Sequence, residues 1–184
     1  MHVVNRGNDK RRIFLSDADY DFFLDLMVAA KRRAPVSVLA VCPMPNHFHA
    51  VVRPEEEGAL STYMHWLTSY YAIDFRSRTG TRGHGHVFQR RFWNDVARDE
   101  QHLLFQLRYV EGNPVRANLV NEPESWRWSS FSLRMGSENQ LLDPLPVKLP
   151  ANWRELLLAP QPYPEVDSVR HPQRGGRPPD SALE

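Results

Sequence analysis

Cysteine is almost missing from this chain. Cys42 stands alone among 184 residues, which excludes a disulfide framework and any zinc cluster built from thiolates alone. Cys42 falls in an apolar stretch and reads as an inert core residue. Excess charge is missing too. The formal net charge is +1, so global charge announces no polyanionic partner. No apolar run approaches the roughly 20 residues that cross a bilayer, and no signal peptide opens the chain. A protein working in the cytoplasm, without a membrane partner, is the expectation. What is present is a hydrophobic content of 41%, enough for a core, in a length that predicts one domain plus extensions.

Charge is uneven along the chain. Lys10-Arg11-Arg12, Lys31-Arg32-Arg33 and the stretch from Arg76 to Arg91 are basic, whereas acids gather at Glu55-Glu56-Glu57. Local basic patches hold a phosphate backbone without raising the overall pI far, although any one of them also reads as an ordinary solvated face.

The pattern of side chains predicts a strand over 1–6 and a turn over 7–10. Ser16 and Asp19 then open a helix carrying Phe22, Phe23, Leu26, Met27 and Ala30 at helical spacing, which ends before Pro35. Val36 to Cys42 and His47 to Arg53 read as strands of a hairpin closed at Pro43-Met44-Pro45-Asn46. A second helix follows Gly58, with Leu60, Tyr63, Met64, Leu67, Tyr70, Tyr71 and Phe75 on its buried stripe. Thr79 to Gly85 is a glycine-rich loop, and His86 to Val96 is expected as a strand. Asp99 caps a third helix with Leu103, Leu104, Leu107, Tyr109 and Val110, expected to stop at Gly112-Asn113-Pro114. The order predicts an α+β fold of the ferredoxin-like, split β-α-β kind: an antiparallel sheet with helices on one face, plus a C-terminal helix that carries the tyrosine. After Phe131 the periodicity decays. Residues 1–131 are expected to form the domain, and 132–184 an irregular arm with a disordered tail over 171–184.

Chemistry is signalled first at His47 and His49. A His-x-His pair on a strand sends both imidazoles to one face and Phe48 to the other, because side chains alternate with period two. Two converging imidazoles are half of a metal site, or a pair of satisfied edge residues. Tyr109 and Asn113 are four apart, hence neighbours on a helix face. Tyr109 supplies a possible nucleophile and Asn113 a carbonyl oxygen for a metal. Taken singly, Tyr109 also reads as a half-buried helix residue and Asn113 as a helix stop. His84, His86 and His102 qualify as a general base by residue type only. Trp93, Trp126 and Trp128 are suited to stacking on unpaired bases or to a core.

Three separated blocks carry a resemblance. Met44-Pro45-Asn46-His47-Phe48-His49, then Gly85-His86-Val87-Phe88-Gln89-Arg90-Arg91-Phe92, then Arg108-Tyr109-Val110-Glu111-Gly112-Asn113-Pro114-Val115-Arg116-Ala117 closely resemble the single-tyrosine HUH transposases, and among them the REP-associated tyrosine transposases. Val3-Val4-Asn5-Arg6-Gly7 and Trp126-Arg127-Trp128-Ser129-Ser130 fit the same family. Members of that family carry residues before the first strand, and this sequence opens within it.

The resemblance implies a DNA transposase: a single-strand endonuclease and strand transferase acting through a covalent 5′-phosphotyrosine. Tyr109 takes the place of its nucleophile, and His47, His49 and Asn113 that of its metal ligands, for Mg²⁺ or Mn²⁺. The implied partner is single-stranded or hairpin DNA, of repetitive palindromic type. Arg6, Arg11, Arg12, Arg82, Arg90, Arg91 and Arg116 are expected at the DNA. A monomer is favoured over a dimer that exchanges the tyrosine helix. The alternative is a regulator that binds DNA hairpins without cutting them; a small hydrolase using only the histidines is a more distant reading that leaves Tyr109 without a role.

Overall fold

A computed structural model describes residues 1–83, 85–89, 91–136, 139–162 and Glu165. The chain runs β1 (His2–Arg6), α1 (Asp17–Lys31), β2 (Val36–Met44), β3 (His47–Pro54), α2 (Ala59–Arg78), β4 (Trp93–Asp95), α3 (Glu100–Glu111), α4 (Asn113–Arg116), α5 (Ser130–Met135) and α6 (Trp153–Leu158). Four strands form an antiparallel sheet in the order β2-β3-β1-β4. The ferredoxin-like arrangement expected from the element order is therefore present.

Period-two alternation divides the sheet into two chemically distinct faces. Val3 of β1, Val38 and Val41 of β2, and Phe48, Ala50 and Val52 of β3 pack under α1 and α2, with Phe23, Met27, Tyr63, Leu67 and Tyr71. Phe48 is fully buried and its ring centroid lies 4.7 Å from that of Phe23. On the opposite face Leu39, Ala40, Cys42, Met44 and Val51 meet Leu107 and Val110 of α3 and Trp153 and Leu157 of α6. The histidines of β3 share the face of Val51, so they lie on the α3 side. Helices thus cover both faces, with α1 and α2 on one and the tyrosine-bearing α3 on the other.

Local signals in the chain explain the ends of these elements. The Asp19 carboxylate accepts from the backbone N–H groups of Leu15 and Ser16, at 2.6 and 3.0 Å, closing the first turn of α1. Asp99 does the same for α3, accepting from His102 N–H at 2.7 Å. Gly7 is fixed by close approach: a Cβ there would stand 2.5 Å from the Arg11 carbonyl oxygen. Tyr63 and Tyr71 donate from the core to the Met27 and Ile13 carbonyls. Tyr70, expected on the same buried stripe, instead lies half exposed, stacked on Trp66 at 4.2 Å.

Two expectations change. The strand expected over 86–96 contracts to Trp93–Asp95. Its earlier part meets β1 through an isolated bridge of Phe88 to Gly7 and the bond from Gln89 N–H to the Arg6 carbonyl at 2.9 Å, with a register shift between the two stretches. Both stretches follow the edge of β1, but one continuous ladder does not join them. The helix stop expected at Gly112 is also only partial. Gly112 is in the right-handed helical region and its N–H reaches the Arg108 carbonyl at 2.9 Å, after which α4 begins at once. Pro114 has no N–H for the Val110 carbonyl, which breaks the ladder without turning the chain away.

Beyond Phe131, Leu141, Trp153 and Leu157 are buried. The fully buried Glu111 carboxylate anchors this region. It accepts from Ser130 Oγ, Arg134 Nη2 and Trp153 Nε1, each at 2.7 Å. Arg108 adds bonds to the carbonyls of Leu156, Ala159 and Pro160 and an ion pair with Glu165 at 2.9 Å. The tail expected to be disordered over 171–184 lies outside the described residues.

Candidate active site

On the α3 side of β1 and β3, His2 and His49 bring their rings against Tyr109. In the antiparallel pairing of these strands Val4 stands opposite His49 and Arg6 opposite His47. The rings of His47 and His49 are 4.8 Å apart, centroid to centroid and edge to face. The Tyr109 ring lies 5.5 Å from His49, also edge-on. Strand and helix therefore do meet face to face, which brings together the two ends of the sequence signal.

A third imidazole, unsuspected from the sequence, lies among them. His2 is buried, stacks on His49 at 5.1 Å, and shares a hydrogen bond between its Nε2 and His49 Nδ1 at 2.9 Å. Its ring also meets Tyr109 and Trp93 edge-on, each at 5.7 Å. A signal for it existed. In the ferredoxin-like order the first strand sits beside the third, and period two puts His2, Val4 and Arg6 on one face.

Burial controls the protonation of these rings. Desolvation disfavours the imidazolium, lowering His47 to about 4 and His2 to about 3, and holding His49 well below the usual histidine range. The cations of Arg6 and Arg116 push His49 the same way. The rings are neutral at neutral pH, which is the form that donates a lone pair to a metal.

Asn113 is buried at the start of α4, and its side-chain nitrogen has no hydrogen-bond partner among the described residues. A half-turn of the amide exchanges N for O, so this position equally presents an uncommitted carbonyl oxygen. Among the described residues no group of three His, Cys, Asp or Glu side chains is placed to hold a metal. By residue type the candidate ligands are two neutral imidazoles and an amide oxygen. The chemistry of this set fits a divalent ion with open positions, and the absence of a carboxylate makes its own grip modest.

Arg116 is central here. Its guanidinium carbon sits 4.2 Å from the centre of the Tyr109 ring, and Nη2 donates to the Tyr109 carbonyl at 2.8 Å. Arg6, exposed at the end of β1, stands on the same face beside His47.

The other candidate arginines are elsewhere. Arg11 is half buried and donates to the Asn8 carbonyl, Arg12 is exposed and acts on Tyr20 of α1, and Arg82 donates to Ser77. Arg91 lines a groove of about 830 Å³ against α2, with Arg76, His65 and His86. Arg90 and His84 lie outside the described residues. His102 points into a buried cluster with Asp95 and Gln106. Of the tryptophans, Trp126 donates to the Pro43 carbonyl and Trp128 to Asp21, so both are structural. Trp93, 38% exposed beside His2, is the one of these three with an open ring.

Comparison with known proteins bears on the family and the fold. The family described as "Transposase IS200 like" matches residues 1–113. A provisionally named REP-associated tyrosine transposase of Haemophilus influenzae is 28% identical over 106 residues, 53% of this chain and 60% of that one, so the match spans less than two thirds of the relative's length. The REP-associated tyrosine transposase of Escherichia coli K12 is 25% identical over 130 residues, 70% of this chain and 73% of that one. A solved structure of a REP-associated tyrosine transposase bound to a REP hairpin superposes with a TM-score of 0.59 at 20% identity, covering 82% of this chain and 87% of the other, a likeness of fold. The chain therefore belongs to the IS200-like transposase family.

Proposed function

We propose that the chain cuts and rejoins single-stranded DNA through a covalent 5′-phosphotyrosine on Tyr109. The observation that carries this reading is the Tyr109 ring 5.5 Å from His49, over a strand face that also bears His47 and Arg6. The phenol oxygen attacks the scissile phosphorus in line with the departing 3′-oxygen. The P–O3′ bond breaks, the 5′-phosphate becomes esterified to Tyr109, and the 3′-hydroxyl leaves with a proton while the phenol gives one up. Attack of a 3′-hydroxyl on the phosphotyrosine reverses these steps and restores the phenol. Bond energy is conserved in the ester, so rejoining consumes no ATP.

The protein's part is mostly placement and charge. Arg116 holds the Tyr109 ring from one side. Arg6 supplies a cation near the phosphate, and Trp93 offers a face for an unpaired base. A bound Mg²⁺ or Mn²⁺, held by His47, His49 and the Asn113 side-chain oxygen, would offset charge on a non-bridging phosphate oxygen. One chain contributes the histidines and the tyrosine together, which favours action as a monomer. The relative that was solved with a REP hairpin suggests hairpin DNA as substrate.

A labelled single-stranded hairpin oligonucleotide incubated with the protein and Mn²⁺ should yield a protein–DNA adduct on a denaturing gel. No adduct in either Mg²⁺ or Mn²⁺, across a panel of hairpins, would contradict the proposal. A second reading, a hairpin-binding regulator without cleavage, is favoured by the 6% exposure of Tyr109, which leaves its ring little open surface for a phosphate. That reading expects salt-sensitive binding and no adduct.

A further inference from the structure

We infer that His2 and Asn46 are positioning residues, setting His49 and His47 in the tautomer whose Nε2 lone pair is bare and directed at the shared site. The inference rests on the two-imidazole metal reading above and concerns residues that bind neither metal nor DNA in it.

The case of His47 is settled by hydrogen-bond chemistry alone. Its Nδ1 lies 2.6 Å from Asn46 Oδ1. An amide oxygen only accepts, so Nδ1 carries the proton and Nε2 the lone pair. The amide itself is oriented, because its Nδ2 donates to the Lys10 carbonyl at 3.1 Å. Turning the amide over would break that bond and set two acceptors, the amide oxygen and the Lys10 carbonyl oxygen, against each other. The asparagine before the His-x-His pair thus anchors to the 3₁₀ turn after β1 and passes its orientation to the first histidine.

His49 has an equivalent partner in His2. The 2.9 Å bond uses His49 Nδ1 and leaves Nε2 as the nitrogen open to a ligand. Two neutral imidazoles share one proton across such a bond. If His2 donates it, His49 Nε2 is protonated and cannot ligate. If His2 accepts it, His49 Nε2 is bare. The second arrangement matches His47 and makes a donor pair of like atoms. It places the remaining proton of His2 on Nδ1, an atom that is buried without a hydrogen-bond partner among the described residues. An unsatisfied buried polar atom costs stability. A valine at this strand position would pack without that cost, so the fold alone gives no reason for an imidazole. Stacking on His49 and edge contacts from Trp93 and Tyr109 hold the His2 ring in one orientation, as a partner that orients a ligand must be held.

Two measurements on the full-length protein test this. The first is nitrogen-15 NMR of histidine-labelled wild-type protein, metal-free at neutral pH, which distinguishes protonated from bare ring nitrogens. His47 and His49 are expected with Nδ1 protonated and Nε2 bare; a proton on His49 Nε2 overturns the inference. The second is titration with Mn²⁺ alone, without DNA. His2→Leu should weaken binding about 10- to 100-fold. His2→Gln, whose carbonyl oxygen can accept from Nδ1, should recover part of it. Equal affinity in wild type, His2→Leu and His2→Gln overturns the inference even if all three are active. If the wild type takes up no Mn²⁺, the metal reading fails instead, and the NMR spectrum decides the tautomers without it. Should His2→Leu fail to fold, His2→Gln and the wild-type spectrum still decide.

Discussion

Arg116 covers the face of Tyr109, its guanidinium carbon 4.2 Å from the ring centre, while the same side chain donates to the tyrosine's own carbonyl. That carbonyl is next to the one of Val110, which Pro114 leaves without its helical partner, so one arginine braces the backbone beside the break and covers the ring. The contact was not foreseeable as such: the sequence marks Arg116 only as a candidate for DNA. It makes Arg116 a candidate for holding the phenol in place, which a substitution can test.

Replacing Arg116 with Met should therefore cost little stability, about 0.5–2 kcal/mol for a cation over an aromatic face, measured by urea unfolding. Adduct formation should slow at least 10-fold with saturating hairpin DNA. An unchanged adduct rate would remove Arg116 from the site's working parts and leave it a helix-end staple.

Arg6 and Arg12 separate site charge from general charge. Both are exposed, but Arg6 stands on the histidine face and Arg12 acts on α1. Arg6→Gln should lower the slope of log affinity against log salt by about 0.7 for a single-stranded contact, and Arg12→Gln should leave it unchanged. Equal slopes in the two variants would place the DNA on another surface.

The buried imidazoles predict an acid-side instability. His2 and His47 have folded pKa values of about 3 and about 4, below the unfolded value of 6.5, and His49 is lowered as well. Between those values the unfolded chain binds protons that the folded chain does not, so stability falls as pH drops. It should be level with respect to these groups above pH 6.5. Below it, each group contributes a loss of up to about 1.4 kcal/mol per pH unit. Urea midpoints of metal-free protein from pH 7.5 to 4.5 check this; a midpoint that does not fall below pH 6.5 would show these rings to be hydrated.

Glu111 is the matching test for the far end of the chain. Its carboxylate is fully buried and holds Ser130, Arg134 and Trp153. Glu111→Ala leaves the Arg134 cation and two donors without their acceptor and should cost about 3–5 kcal/mol. A loss under 1 kcal/mol would mean that α6 does not depend on this anchor.

The sequence made the His47 and His49 face legible because strand alternation is local and strict. The near-continuous helix from Tyr109 to Asn113 was only partly legible, because Gly112 and Pro114 read as a stop whereas the backbone stays helical through Gly112 into α4. Other features depend on partners distant in the chain. His2 gains its meaning only when β1 lies next to β3. Trp153 and Leu157 sit in a six-residue helix, too short to show periodicity, and are buried by contacts with α3 and β2 rather than by local pattern. The stretch from His86 to Val96 has the composition of a strand, but which of its residues join β1 is decided by how the chain passes Gly7. Side-chain chemistry was thus readable directly where it follows backbone period, and only through the inferred strand order where it follows strand pairing.

The most direct test of the central claim is to digest the DNA-linked protein and locate the linkage by mass spectrometry. The account predicts a single nucleotide-bearing peptide, containing Tyr109, and no adduct from Tyr109→Phe although that variant binds the same hairpin. A linkage at another residue, or an adduct that persists in Tyr109→Phe, would contradict it.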